Sequence, residues 1–154
     1  MSDSITLQFD LHTRLFNNVL QGIEENESYN RFNNSNNIKW LAGHLVSTRL
    51  LFANFSRLSD DGRFKMFGKG FDSSLDYPTL EIIKSKWNEI APTISKGLKN
   101  LSPDELKEKG VFQTPIGDDN MKNFIEFVIH HEAYHIGQLG ILRKQLGKES
   151  MKYS

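Results

Sequence analysis

Among the residues of this sequence that could do chemistry, the five histidines come first, and His131 and His135 stand four positions apart. On a helix, such a pair lies one above the other with Cβ atoms about 6 Å apart. Both imidazoles can then reach one divalent ion at about 2.0–2.1 Å. His44, on a separate segment of helical apolar spacing, would add a third nitrogen and leave an open position for water. For any one histidine on an apolar face, a hydrogen-bonded place in the core is the plainer reading. Three converging on one core would be costly to bury without partners, and an ion supplies the partner. Three neutral imidazoles would also leave the ion's full charge to activate a water or a thiol near neutral pH.

The neighbouring residues extend this pattern. His12 falls between Phe9 and Phe16 and reads as a core histidine, a fourth ligand or a donor to a ligand. His130 lies on the polar side with Asn123 and Glu126. Glu132 is a candidate base or an acceptor to a ligand's outer proton, although on a straight helix it points about 60–100° away from the two ligands and reads first as a solvated carboxylate. Gln138, one turn beyond His135, could donate to a bound ligand or fill a polar niche, and Tyr134 borders the apolar stripe as a core residue.

Two imitations fail on what surrounds the motif. His131-Glu132-Ala133-Tyr134-His135 matches the zinc-peptidase pattern H-E-x-x-H, but no histidine follows His135. Gln138 and Ile141 stand where the extended pattern needs glycine and histidine. Glu132 to His135 is also an E-x-x-H as in di-iron bundles, yet residues 38–55 hold no carboxylate to complete such a site.

The elements that must position these residues are helical. Apolar spacing predicts four helices. The first covers about residues 4–24, with a stripe of Ile5, Phe9, Phe16, Val19 and Ile23. The second covers about 38–58, with Trp40, Leu41, Leu45, Leu51, Phe52 and Phe55, and Asn33 to Ser35 are its candidate caps. Pro78 suits the first turn of a third helix, whose stripe is Leu80, Ile83, Trp87, Ile90, Ile94 and Leu98. Ser102 to Glu105 is a capping-box pattern for a short extra turn. The fourth helix covers about 120–146, stops at Gly147, and places His131 and His135 near the centre of a stripe made by Phe124, Phe127, Val128, Leu139 and Leu142. Ile125, Ile129 and Ile136 form a second strip on it, and Gly137 and Gly140 suggest close backbone approach, in the bundle or across a dimer interface. The long connection over 59–77, carrying Arg63, Lys65, Phe67, Lys69 and Phe71 among glycines, reads as a covering loop that could wall a pocket and attract an anion. Together these predict an all-α four-helix bundle in one domain, residues 1–154.

Composition narrows the function further. The 154 residues carry 19 Lys plus Arg against 19 Asp plus Glu, without the basic excess of a nucleic-acid or membrane-surface binder. The absence of cysteine excludes disulfides, thiolate ligands and cysteine nucleophiles. No apolar run approaches membrane length and no signal peptide is evident, so a cytoplasmic location is expected.

Two stretches resemble the DinB-like superfamily of bacterial four-helix proteins. Trp40-Leu41-Ala42-Gly43-His44-Leu45 resembles its W-x-x-G-H-L stretch, and His131 to Leu139 resembles its H-x-x-Y-H-x-G-Q stretch. The resemblance spans nearly the whole chain. It implies an up-down-down-up bundle with a long crossover between helices 2 and 3, and often a homodimer. It also implies a divalent metal, zinc or nickel, held by His44, His131 and His135, and it assigns no role to His12. Members include thiol-dependent S-transferases and isomerases that use bacillithiol, mycothiol or glutathione, and some hydrolases. The expected function is thus transfer of a low-molecular-weight thiol, or water, to a small electrophilic substrate. The alternatives are a non-catalytic metal-binding stress-response protein and a metal-free structural bundle.

Overall fold

A computed structural model describes residues 3–52 and 62–154. The four apolar-patterned segments form α1 (Asp3–Leu20), α2 (Ile38–Leu50), α3 (Leu80–Asn100) and α4 (Met121–Gln145). Each boundary has a chemical cause. The Asn37 side chain, fully buried, accepts from the Trp40 amide at 2.8 Å and caps α2, a task predicted for residues 33–35. Thr79 caps α3, which leaves Pro78 just ahead of the helix instead of inside it. Asn120 caps α4, and Gly147, at φ +76°, ends it as expected. α1 stops four residues short of its predicted end, where Gly22 turns the chain at φ +69°. Ser102 and Glu105 form the predicted capping box and open a 3₁₀ turn at Glu105–Lys107. The predicted continuation of α2 towards residue 58, with Phe55, lies outside the described residues beyond Phe52.

Helix directions follow from cross-helix contacts. His12 meets Glu132 and the Val19 carbonyl meets Arg143, so α1 and α4 run parallel. Thr13 meets Trp87 and Asn17 meets Asn88, while Asp10 shares a cleft with Ser95 and Lys96, so α3 is antiparallel to α1. Leu41 lies by Leu142 and Arg49 by Glu132, so α2 is antiparallel to α4. The order is up-down-down-up. α1 and α2 each pack on α3 and α4, and stand diagonally across the bundle from each other. The parallel pair α2 and α3 is joined by residues 51–79, the long crossover.

Burial differs sharply between helices. α3 shows one stripe to the core, from Leu80 through Ile83, Trp87, Ile90 and Ile94 to Leu98, as its spacing predicts. α2 is buried on nearly every side, including Lys39, Thr48 and Arg49. Lys39 is tied to Glu25 and lies over the Tyr29 ring, 4.0 Å from its centroid. Glu25 also accepts from the Leu80 amide at 2.8 Å, so one carboxylate fastens the α1–α2 connection to the starts of two helices.

A charged network fills the centre of the bundle. Arg49 donates from Nε to Glu132 Oε1 at 2.6 Å and from Nη2 to Oε2 at 3.0 Å, and both side chains are essentially inaccessible. The remaining guanidinium donors reach Thr13 Oγ1 at 2.8 Å and the Phe9 carbonyl at 3.1 Å, on the diagonal helix. Its Cζ lies 3.5 Å from the centroid of the Trp87 ring. His12 Nδ1 donates to Glu132 Oε2 at 3.0 Å. All four helices therefore meet at one ion pair. Burial would raise the Glu132 carboxyl, but the Arg49 charge and the hydrogen bonds from His12 and Arg49 hold it below its ordinary value.

Two predictions follow from this packing. Arg49→Met leaves a buried carboxylate unpaired and should cost about 3–5 kcal/mol in urea unfolding, whereas Arg49→Met with Glu132→Leu should cost less than that single change. A double variant as unstable as the sum of both singles would contradict the pairing. At Gly43, an added Cβ would sit 2.1 Å from Phe67 Cε1, and the Phe67 ring is fully buried. Gly43→Ala should therefore lose about 1–3 kcal/mol by overpacking.

Candidate metal centre

His44, His131 and His135 come together as their spacing predicts. Nε2 of His131 lies 3.0 Å from Nε2 of His44 and 3.1 Å from Nε2 of His135. One nitrogen from each residue lies within 4.8 Å of the others, and the three could hold a metal ion. Ligand nitrogens around a tetrahedral ion at about 2.0–2.1 Å stand about 3.3 Å apart, close to the spacing seen.

The outer nitrogens decide what the inner ones offer. His44 Nδ1 donates to the Phe67 carbonyl at 2.8 Å, and His135 Nδ1 donates to Gln138 Oε1 at 2.6 Å. Those protons leave a lone pair on each Nε2, and both are aimed at His131 Nε2. A neutral His131 has one proton, which can answer only one of those lone pairs. A cation at the focus answers all three. His131 Nδ1 is buried without a partner among the described residues, so that ring is placed by packing.

Electrostatics keep the rings neutral and available. Burial, then the neighbouring His135 and His44, push His131 down to about 4. Burial also lowers His44 and His135, against the opposing pull of the Phe67 carbonyl and of Gln138. All three side chains are half-buried, so the cluster keeps an open side. Trp40 stacks on His44 with ring centroids 4.7 Å apart and walls another side.

Other expectations are corrected here. Glu132 is not solvated: it is fully buried, with both oxygens occupied, a placement that does not suit a base that must reach a substrate. It occupies the centre of the buried face of α4, among Ile125, Val128, Ile129, Ile136 and Leu139, and it displaces His131 and His135 to the flank of that face. His12 joins Glu132 and lies outside the histidine cluster. Tyr134 is 58% exposed and not part of the core, and its hydroxyl accepts from Gln138 Nε2 at 3.2 Å. Gln138 thus sets the His135 tautomer, a third role beyond the two considered. A Cβ added at Gly137 or Gly140 would meet nothing within 4 Å among the described residues. His130 is exposed, as expected. The Phe67 carbonyl was missed, since a main-chain acceptor has no residue-type signature.

No helix of the described residues is long and apolar enough to cross a membrane. Comparison with known proteins places the architecture. A crystal structure of the DinB-like protein YjoA from Bacillus subtilis matches with a TM-score of 0.66 and 18% identity, over 97% of this chain and 96% of that one. That likeness is one of fold. No curated protein matches the chain. The sequence pattern of the DinB superfamily matches residues 8–139, which take in α2, α3 and all three clustered histidines. The chain therefore belongs to the DinB superfamily.

Proposed function

We propose that His44, His131 and His135 bind one divalent ion, zinc or nickel, and that the protein is a metal-dependent enzyme of the thiol S-transferase or hydrolase type. The observation that carries this reading is the convergence of three Nε2 atoms, two of them with outward protons committed elsewhere. An ion held by neutral imidazoles supplies undiminished Lewis-acid charge, which acidifies a coordinated water or low-molecular-weight thiol. The chain's own contribution is placement. Phe67 and Gln138 orient two of the rings, burial keeps them unprotonated at neutral pH, and the half-buried setting leaves access for a small electrophilic substrate.

A second reading, a metal-binding protein without turnover, is favoured by one observation. Glu132, the carboxylate nearest in sequence to the ligands, is already engaged by Arg49 and His12. The same reading of the chain includes a single domain, a cytoplasmic location and a homodimer. The dimer is supported by the open backbone at Gly137 and Gly140 beside Ile141, which is 62% exposed.

Untagged protein purified without chelator, or incubated with zinc or nickel, should carry about one equivalent of metal per chain. His44→Ala, His131→Ala and His135→Ala should each lose it while helical circular dichroism persists. Wild-type protein that takes up neither metal would sink the proposal. Turnover of an electrophile with a thiol or with water, abolished by metal removal, distinguishes the enzyme from the metal-binding protein.

A further inference from the structure

The turn that fixes His44 also borders a cleft. Its backbone runs through Lys65–Gly68, and Phe67 in that turn supplies the carbonyl held by His44 Nδ1. The cleft has a volume of about 600 Å³, within the usual range of small-molecule sites, and Arg31, Lys65, Lys69 and Asp72 line it with Gly68 and Gly70. Three cations thus face one carboxylate. The Asp72 carboxylate is engaged by the Ser74 amide at 2.9 Å and by the Ser74 hydroxyl at 2.7 Å. Neither Lys65 nor Lys69 pairs with a carboxylate among the described residues.

The walls are held in place rather than loosely apposed. Arg31 Nε donates to the Ser35 carbonyl at 3.0 Å, and its guanidinium lies 5.7 Å from the centroid of the Phe71 ring. The Phe71 amide donates to Asn36 Oδ1 at 3.1 Å, which joins the two loops that form the cleft. Asp72 is tied in turn to Tyr77, whose hydroxyl accepts from its amide at 2.9 Å. Gly68 would meet nothing within 4 Å if it carried a Cβ, so a ligand can approach the main chain there. The Gly70 amide finds no acceptor among the described residues. Cationic side chains and free donors around a concave surface concentrate small anions.

We infer that this cleft is an anion-binding subsite that takes the carboxylate or phosphate group of a small molecule brought to the metal centre. The link to the centre rests on the metal reading above; the anion subsite itself does not. The chain as a whole is neutral, so the attraction is local to these two loops.

The test is a titration of ¹⁵N-labelled protein with inorganic phosphate or succinate, against sodium chloride at matched ionic strength. Saturable shifts should appear at the amides of residues 68–71, and the stronger of the two anions identifies phosphate or carboxylate as the preferred group. Lys65→Glu with Lys69→Glu should weaken binding at least about tenfold and keep its metal, while Lys96→Glu with Lys99→Glu on α3 should leave binding unchanged. The metal-free His131→Ala variant should still bind, which separates this subsite from anion ligation at the metal. Shifts that never saturate, that survive in the Lys65/Lys69 variant, that weaken as much in the Lys96/Lys99 variant, or that vanish with the metal would overturn the inference.

Discussion

A charge buried in the dry centre of a bundle must be paired, and the Arg49–Glu132 contact is where this fold meets that demand. Its two parallel hydrogen bonds fix direction as well as distance. Glu132 can face Arg49 only if the stripe from Ile125 to Leu139 faces inward with it. That rotation of α4 carries His131 and His135 to the flank next to α2. On α2, the same contact sets Arg49 inward and places His44, five positions earlier, against the same flank. Such a pair adds little net stability over a well-packed apolar substitute. Its role here is to set the register of the two helices that carry the three imidazoles.

Around that centre, each imidazole with a fixed tautomer owes it to a group from a different source. The Phe67 carbonyl comes from the crossover, and Gln138 lies on α4 itself, one turn past its histidine. Gly43 is what lets the crossover come so close. Only a residue without a Cβ leaves room for the Phe67 ring against α2, one position before His44. The crossover is thus a structural part of the centre, and its outer surface forms one wall of the cationic cleft.

Much of this was legible in the sequence because it depended on residue type and helical spacing. The convergence of the i, i+4 pair His131 and His135 with His44, the stripe from Leu80 to Leu98 and the stop at Gly147 all came out as expected. The two charged residues at the centre of the bundle, Glu132 and Arg49, escaped for a common reason. Glu132 was read as solvated because it points away from the stripe assigned to His131 and His135, although aliphatic residues at three and four positions before it and at four and seven after it surround it on the helix. Arg49, flanked by Leu45, Val46 and Phe52, sat in the same kind of setting on the facing helix and was not singled out. Two opposite charges, each central to an apolar stripe, were the available signal. The Phe67 carbonyl and the capping choice of Asn37 over its neighbours depended on main-chain geometry that spacing does not encode.

The central claim is that three imidazole nitrogens share one ion. X-ray absorption at the zinc edge of zinc-loaded protein tests it most directly. The account predicts three imidazole nitrogens at about 2.0–2.1 Å, with the outer-shell scattering of imidazole rings and the remaining coordination supplied by non-imidazole atoms. A first shell of carboxylate and water oxygens without imidazole scattering would contradict it.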